Sequence, residues 1–228
     1  MDKIKFNELL EKQNIILNPT QSNQFEKYFA FLVQENAKYN LTTITDEAGV
    51  YEKHFYDSLS ILFKNPLNGS VLDVGSGGGF PSVPLKIVKP EMDLTILDST
   101  NKKINFINCL ASELGLSINT VCARAEEHQQ SFDYVIARGV APLNILLELC
   151  CNLVKHNGHL IAMKGSRYLE EIEEAKNAIK TLGYEILEIQ EFTLPTENSK
   201  HYNILFKKVK NHSNKYPRNY SKIKKASL

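Results

Sequence analysis

Long apolar runs are missing from this 228-residue chain. None approaches the roughly 18 residues of a membrane-spanning helix, which excludes an integral membrane protein. An apolar signal core is missing too: the opening MDKIKFNELLEKQN alternates charged and apolar residues, so a cytoplasmic protein is expected. The four cysteines, Cys109, Cys122, Cys150 and Cys151, form no CxxC pair and share no metal-site spacing with His156 or His159. Reduced, buried thiols and no bound metal are therefore expected. Internal repeats are lacking, and 43% hydrophobic with 23% charged residues excludes a disordered or fibrous chain. At roughly 150 residues per domain, one main domain with an appendage is expected.

Acidic residues are missing from one place only. Residues 207–228 hold eight basic side chains (Lys207, Lys208, Lys210, Lys215, Arg218, Lys222, Lys224 and Lys225) and no acid. The preceding 206 residues keep 19 basic against all 26 acidic residues, a net of −7. Such asymmetry points to a polyanionic partner, nucleic acid before membrane, because no amphipathic apolar face accompanies the lysines. A solvated tail that only aids solubility fits the composition equally well.

Residues 1–66 carry helical stripes: Phe6, Leu9, Leu10 and Ile16; then, after Pro19, Phe25, Tyr28, Phe29, Leu32 and Val33; then Tyr51, Phe55, Leu59 and Leu62. Pro66-Leu67-Asn68-Gly69 is a turn, and beyond it the rhythm changes. Apolar runs at 70–74, 94–98, 118–122, 132–137 and 159–163 alternate with helical patterns near 81–89, 102–114, 142–154 and 168–182. Two further strands, 184–192 and 202–208, have no helix between them and are expected to pair antiparallel at one side of the sheet. The expected fold is α/β, a mostly parallel seven-stranded sheet covered on both faces. Its expected divisions are an N-terminal helical cap (1–66), the sheet domain (67–208) and a basic tail (209–228).

Leu72-Asp73-Val74-Gly75-Ser76-Gly77-Gly78-Gly79-Phe80-Pro81 follows a predicted strand and opens a helix. Gly75 and Gly77 allow positive φ and close approach of a ligand to the backbone. A dinucleotide fingerprint counted from Gly75 would need glycine where Phe80 stands, and no Gly-Lys-Ser/Thr follows for a P-loop. Asp98 ends the next strand, at the distance where an acid binds ribose hydroxyls. Asp73 beside the loop would repel a pyrophosphate and suits a cationic, amino-acid-bearing nucleoside. These residues favour S-adenosylmethionine over NAD.

LDVGSGGGFP, LDSTNKK, RAEE and FDYVIARGVAPL, in this order, resemble the bacterial small-subunit rRNA methyltransferase G family, also called the glucose-inhibited division protein B family. YNLTTITDEAGVYEKHFYDSL is similar to the family's helical cap and KYPRNYSKIKKASL to its basic end, so the likeness runs from about residue 36 onward. It implies a class I S-adenosylmethionine-dependent, Rossmann-like fold and methylation of N7 of a guanosine in 16S rRNA. It also implies that Gly75 and Phe80 line the cofactor pocket, that Asp98 and Ser99 contact the ribose, that Ala125 and Glu126 flank the adenine, and that Arg138 faces the cofactor. Departures are Ser82 for a glycine, Ala137 for a serine, Gly139 for an alanine, and no tryptophan before YNLT. The implied partner is 16S rRNA or the small ribosomal subunit, with no membrane and no metal; a monomer is expected.

Arg138 ends an apolar strand, where a buried guanidinium is costly unless paired, so a positioning role toward cofactor or phosphate is expected. Lys164 repeats the arrangement and is either structural or an RNA contact. His54 and Asp57 could reach the pocket mouth, although a paired surface histidine is the simpler account. Glu170, Glu171, Glu173 and Glu174 read as a solvated helix start. Lys215, Tyr216, Arg218 and Lys222 are expected to bind RNA, with Tyr216 and Tyr220 stacking on bases. No residue is expected to act as an acid or base. Three other readings stand beside this one: a methyltransferase of protein or small molecules, against which the tail argues; an NAD-linked oxidoreductase, disfavoured by Phe80 and Asp73; and an RNA-binding module keeping an inactive cofactor fold, against which the intact loop and Asp98 argue.

Overall fold

Strict alternation of side chains builds the sheet. In the computed structural model, which describes all 228 residues, the strands are β1 (Ser70–Val74), β2 (Asp93–Asp98), β3 (Asn119–Cys122), β4 (Phe132–Arg138), β5 (Val154–Lys164), β6 (Tyr184–Thr193) and β7 (Lys200–Lys208). Their order is β3-β2-β1-β4-β5-β7-β6. The first five are parallel to one another, and β7 inserts antiparallel between β5 and β6. The chain steps outward from β1 to β3 and returns on the other side at β4, so the order reverses between β1 and β4, where open α/β sheets bind ligands.

Successive residues of each strand feed opposite layers. Val71, Ile96, Ile136 and Ile161 join one buried cluster, whereas Leu72, Leu97, Val135 and Leu160 join the other. The first cluster also takes Phe6, Phe25, Tyr28, Tyr51 and Phe55, so residues 1–66 share their core with the sheet. Asn18 starts helix Pro19–Tyr39 with a capping box, Pro19 fits its first turn, and Asn40 closes it in the left-handed conformation. Gln21 Nε2 from this helix donates to the carbonyls of Ile87 and Val88 at 2.9 and 3.1 Å, and Gln24 Nε2 to that of Leu114 at 2.8 Å. The cap thereby satisfies the ends of two sheet-covering helices, Ser82–Val88 and Asn101–Leu114.

Several expectations shift. The third stripe is a composite, with a π-helix at Val50–Tyr56, one α turn at Asp57–Leu59 and a 3₁₀ turn at Ser60–Phe63. The helix expected at 142–154 is only Leu143–Leu149, because Val154 already pairs with Phe132 as the start of β5. The helix expected at 168–182 breaks at Ala175. Cys150 and Cys151 are buried, but Cys109 and Cys122 are exposed, being on the outer side of a helix and at the end of the edge strand β3. No helix is long and apolar enough to cross a membrane.

Candidate active site

The glycine loop leaves the carboxyl end of β1 in a conformation its sequence permits. Gly75 (φ +71°) donates its N–H to Leu97 O at 2.8 Å, and a Cβ there would stand 3.0 Å from Val140 Cγ2. At Gly79 (φ +97°) a Cβ would fall 2.6 Å from Tyr28 Oη, whose hydroxyl donates to Gly78 O at 2.6 Å. The cap thus clamps the loop from outside.

Against this loop lies a cleft of about 330 Å³ across the carboxyl ends of β1, β2 and β4. Gly75, Asp98, Ser99, Ala125 and Glu126, scattered through the sequence, line it together. Asp98 accepts from Thr100 N–H at 2.9 Å and faces Lys103 Nζ at 3.5 Å. Gly77 and Phe80 lie outside the cleft lining. Phe80 is buried, stacked on Tyr28 (5.4 Å between centroids) and on His54 (4.4 Å). It packs the loop against the cap through these two rings.

Two buried acceptors near the loop have no partner: Asp73 Oδ1 and Ser76 Oγ. Asp73 is fully buried, its other oxygen accepting only a 3.3 Å bond from Ser82 N–H, and burial pushes its carboxyl up to about 7. An acid held at this cost beside an open cleft complements a cation, which fits an amino-acid-bearing nucleoside and does not fit a pyrophosphate.

Arg138 ends β4 one residue before Gly139, which lines the cleft, but its guanidinium turns away toward the cap. It donates to Asp57 Oδ2 at 2.7 Å and Lys53 O at 3.1 Å, and lies 5.1 Å above the Phe80 ring. Asp57 Oδ1 meets His201 Nδ1 at 2.7 Å. Burial would raise the Asp57 carboxyl, but the hydrogen bond from His201 and the charge of Arg138 outweigh it and hold it low. The same bond raises His201. His54 is no surface histidine: burial, then the charge of Arg138, push it down to about 4, and its Nε2 lies 2.8 Å from Thr42 Oγ1. Arg138 therefore borders a second cavity, of about 220 Å³, which meets the first at Gly139.

With this geometry in view, the comparisons with known proteins agree. Residues 21–201 match the family described as rRNA small subunit methyltransferase G. Ribosomal RNA small subunit methyltransferase G of Geobacillus sp. (strain WCH70) is 47% identical over 227 residues, 96% of this chain and 95% of the relative. The protein of that name in Staphylococcus epidermidis is 48% identical over 219 residues, 92% of each chain. The chain belongs to the rRNA small subunit methyltransferase G family. Among solved structures, a methyltransferase from Pyrococcus furiosus superposes with a TM-score of 0.57 at 13% identity, over 82% of this chain and 98% of that one. A SAM dependent methyltransferase from Aquifex aeolicus gives 0.55 at 16% identity, over 72% and 94%. The fold is that of class I S-adenosylmethionine-dependent methyltransferases.

The basic tail of this methyltransferase is built into the body. Arg218 forks onto the fully buried Glu148, with Nε and Nη2 at 2.7 and 2.6 Å from its two oxygens and the backbone N–H at 3.1 Å. Tyr216 is only 8% exposed. Both therefore make structural contacts within the body: the Tyr216 ring is covered and the Arg218 guanidinium is engaged by Glu148. Lys208 likewise donates to Cys151 O and Val154 O inside the protein. Tyr220, on the last helix (Tyr220–Lys225), lines the cofactor-sized cleft and has Arg124 5.9 Å above its ring. Lys164 is largely covered, its Nζ 2.6 Å from Glu171 Oε2 and 2.8 Å from Ala141 O. Glu171, which also accepts from Leu143 N–H at 2.9 Å, is thus no solvated helix start. Lys215 and Lys222 stay exposed. No group of three or more His, Cys, Asp or Glu side chains is placed to hold a metal ion.

Proposed function

We propose that this chain transfers the methyl group of S-adenosylmethionine to N7 of a guanosine in 16S rRNA. The observation that carries the reading is the cleft across β1 and β2, lined by Gly75, Asp98 and Glu126, beside an unpaired buried Asp73, in a chain of this family. Asp98, with Ser99, holds the ribose hydroxyls in exchange for its contact with Lys103. Ala125, Glu126 and Tyr220 enclose the adenine. The main chain at Gly75 and Gly77 supports the amino-acid end, with Asp73 as the charge complement of its ammonium group.

When bound, the donor supplies an electrophilic methyl on a sulfonium. Guanine N7 carries a lone pair and no proton, so no side chain has to remove one. The task of the protein is alignment at near-attack distance and exclusion of water. Arg138, oriented by Asp57 and Lys53 O, is a positioning residue at the border of the two cavities. N7 lies in the deep groove of A-form RNA, which side chains do not enter, so the target guanosine must be unpaired or splayed out. Exposed Lys215 and Lys222, with Lys224 and Lys225, supply phosphate contacts that weaken with salt.

The test is chemical mapping of N7-methylguanosine in 16S rRNA from a strain lacking the gene, against the same strain carrying it. Loss of one methylated guanosine, restored by the intact gene, is expected; identical maps contradict the reading.

A further inference from the structure

The second cavity has walls from β4, β5, β6, β7 and the cap: Asp57, Arg138, Lys164, Phe192, His201 and Asn203 line it, with Gly139 at the border of the cofactor cleft and Gly165 on the far side of Lys164. Two of its groups look suited to a phosphate, but both are already matched. Arg138 is paired with Asp57 at 2.7 Å and Lys164 with Glu171 at 2.6 Å, which leaves the lining close to neutral. A neutral, planar ligand fits that balance better than an anion.

Asn203 supplies the second observation. It is 2% exposed, and its amide orientation is fixed by its neighbours. Ser60 Oγ spends its proton on Asp57 O at 2.6 Å, so toward Asn203 it can only accept, and Asn203 Nδ2 lies 2.9 Å from it. Gln190 Nε2 donates to Ser60 O at 3.1 Å, which turns Gln190 Oε1 toward the same Nδ2 at 3.5 Å. Asn203 Oδ1 is left as a buried acceptor with no donor. A buried unpaired acceptor on a cavity wall calls for a ligand that brings N–H groups.

Guanine brings them. Its Watson–Crick edge carries N1–H and an N2 amino group, whereas adenine presents an acceptor at N1. A base held by that edge keeps N7, on the other side of the ring, free to face the cofactor cleft. Resting on the function proposed above, we infer that this cavity is the subsite for the target guanine, and that Asn203 Oδ1 accepts from its Watson–Crick N–H groups and so selects guanine over adenine.

Gly165 allows a clean test. Its φ is not in the left-handed region, and a Cβ there would meet nothing within 4 Å, so Gly165→Phe adds a bulky ring at the cavity wall without straining the backbone. The variant is expected to keep the wild-type melting curve and S-adenosylhomocysteine affinity, and to lose about a hundredfold in kcat/KM on 16S rRNA. Wild-type kcat/KM, or an equal loss of cofactor affinity, overturns the subsite. If the wild-type protein itself leaves guanine N7 unmethylated, the proposed function fails rather than the subsite. In parallel, RNA carrying inosine or N1-methylguanosine at the target position removes one edge group at a time. The wild-type enzyme is expected to lose about tenfold on at least one of them, the size of one hydrogen bond, and Asn203→Ala to show no such preference. Indifference of the wild type to both bases, as a phosphate in the cavity would give, overturns the inference even if Asn203→Ala fails to fold.

Discussion

Asp73→Asn separates what the glycine loop costs the empty protein from what it contributes to binding. In the fold, burial pushes this carboxyl from its ordinary 3.8 up to about 7. A carboxyl raised in this way prefers its proton in the folded state, so stability falls as pH rises from about 4 to about 7. The shift corresponds to roughly 4 kcal/mol at pH 8, which is the ceiling on what the neutral amide can recover. At 2–4 °C per kcal/mol for a chain of this size, Asp73→Asn should raise the Tm at pH 8 by up to about 8–16 °C and leave it unchanged near pH 4. Asparagine can still accept from Ser82 N–H, and its amide group can donate to Ser82 Oγ, which is buried without a partner. The same variant should bind S-adenosylhomocysteine more weakly, having lost the charge facing the ammonium group. The assay is calorimetric melting from pH 4.5 to 8.5 with and without that ligand, whose added stabilisation tracks affinity. A variant that melts no higher than wild type at pH 8, with an equal ligand-induced shift, refutes the reasoning.

Arg218→Ala leaves Glu148 charged and fully buried, which should cost about 3 kcal/mol, or about 6–12 °C in Tm. Adding Glu148→Met should restore most of the loss; an unchanged Tm with weaker RNA binding alone would return Arg218 to the phosphate contacts. Deleting residues 211–228 should weaken cofactor and RNA binding together, because Tyr220 lines the cleft; calorimetry showing undiminished cofactor affinity would contradict this. The Asp57–His201 pair combines a depressed carboxyl with a raised imidazole, so its stabilisation is full between about pH 4 and 6.5. It fades as pH rises through the His201 value. His201→Ala should remove that alkaline loss from the pH–Tm profile, and an unchanged profile would show that the pair contributes nothing.

Local chemistry made the sheet, the loop and the first acid legible. Apolar period-two runs mark strands, and glycines with an acid at the right separation mark a nucleoside site wherever the sheet takes them. The second cavity was not legible, because its parts come from five distant stretches: Asp57 from the α turn that follows the π-helix, Arg138 from β4, Lys164 and Gly165 from the end of β5, Phe192 from β6, and His201 and Asn203 from β7. Nothing near His201 signals that it meets a carboxylate 144 residues away. HFYDSL did carry a trace, since His54 and Asp57 stand three apart, but the widened π turn and the pull of Arg138 decide where they point. The packing of the basic end was illegible for a related reason. A run of lysines and arginines reads as one charge patch, yet Arg218 and Lys208 answer a buried carboxylate and buried carbonyls that composition does not reveal.

The central claim is that a sulfonium nucleoside docks across β1 and β2 with its sugar on Asp98. Isothermal titration of S-adenosylhomocysteine into the folded wild-type protein and into Asp98→Ala tests it most directly. One-to-one binding to the wild type, weakened at least about tenfold in the variant, is the predicted result. No heat with the wild type, or equal affinity in both proteins, would contradict it.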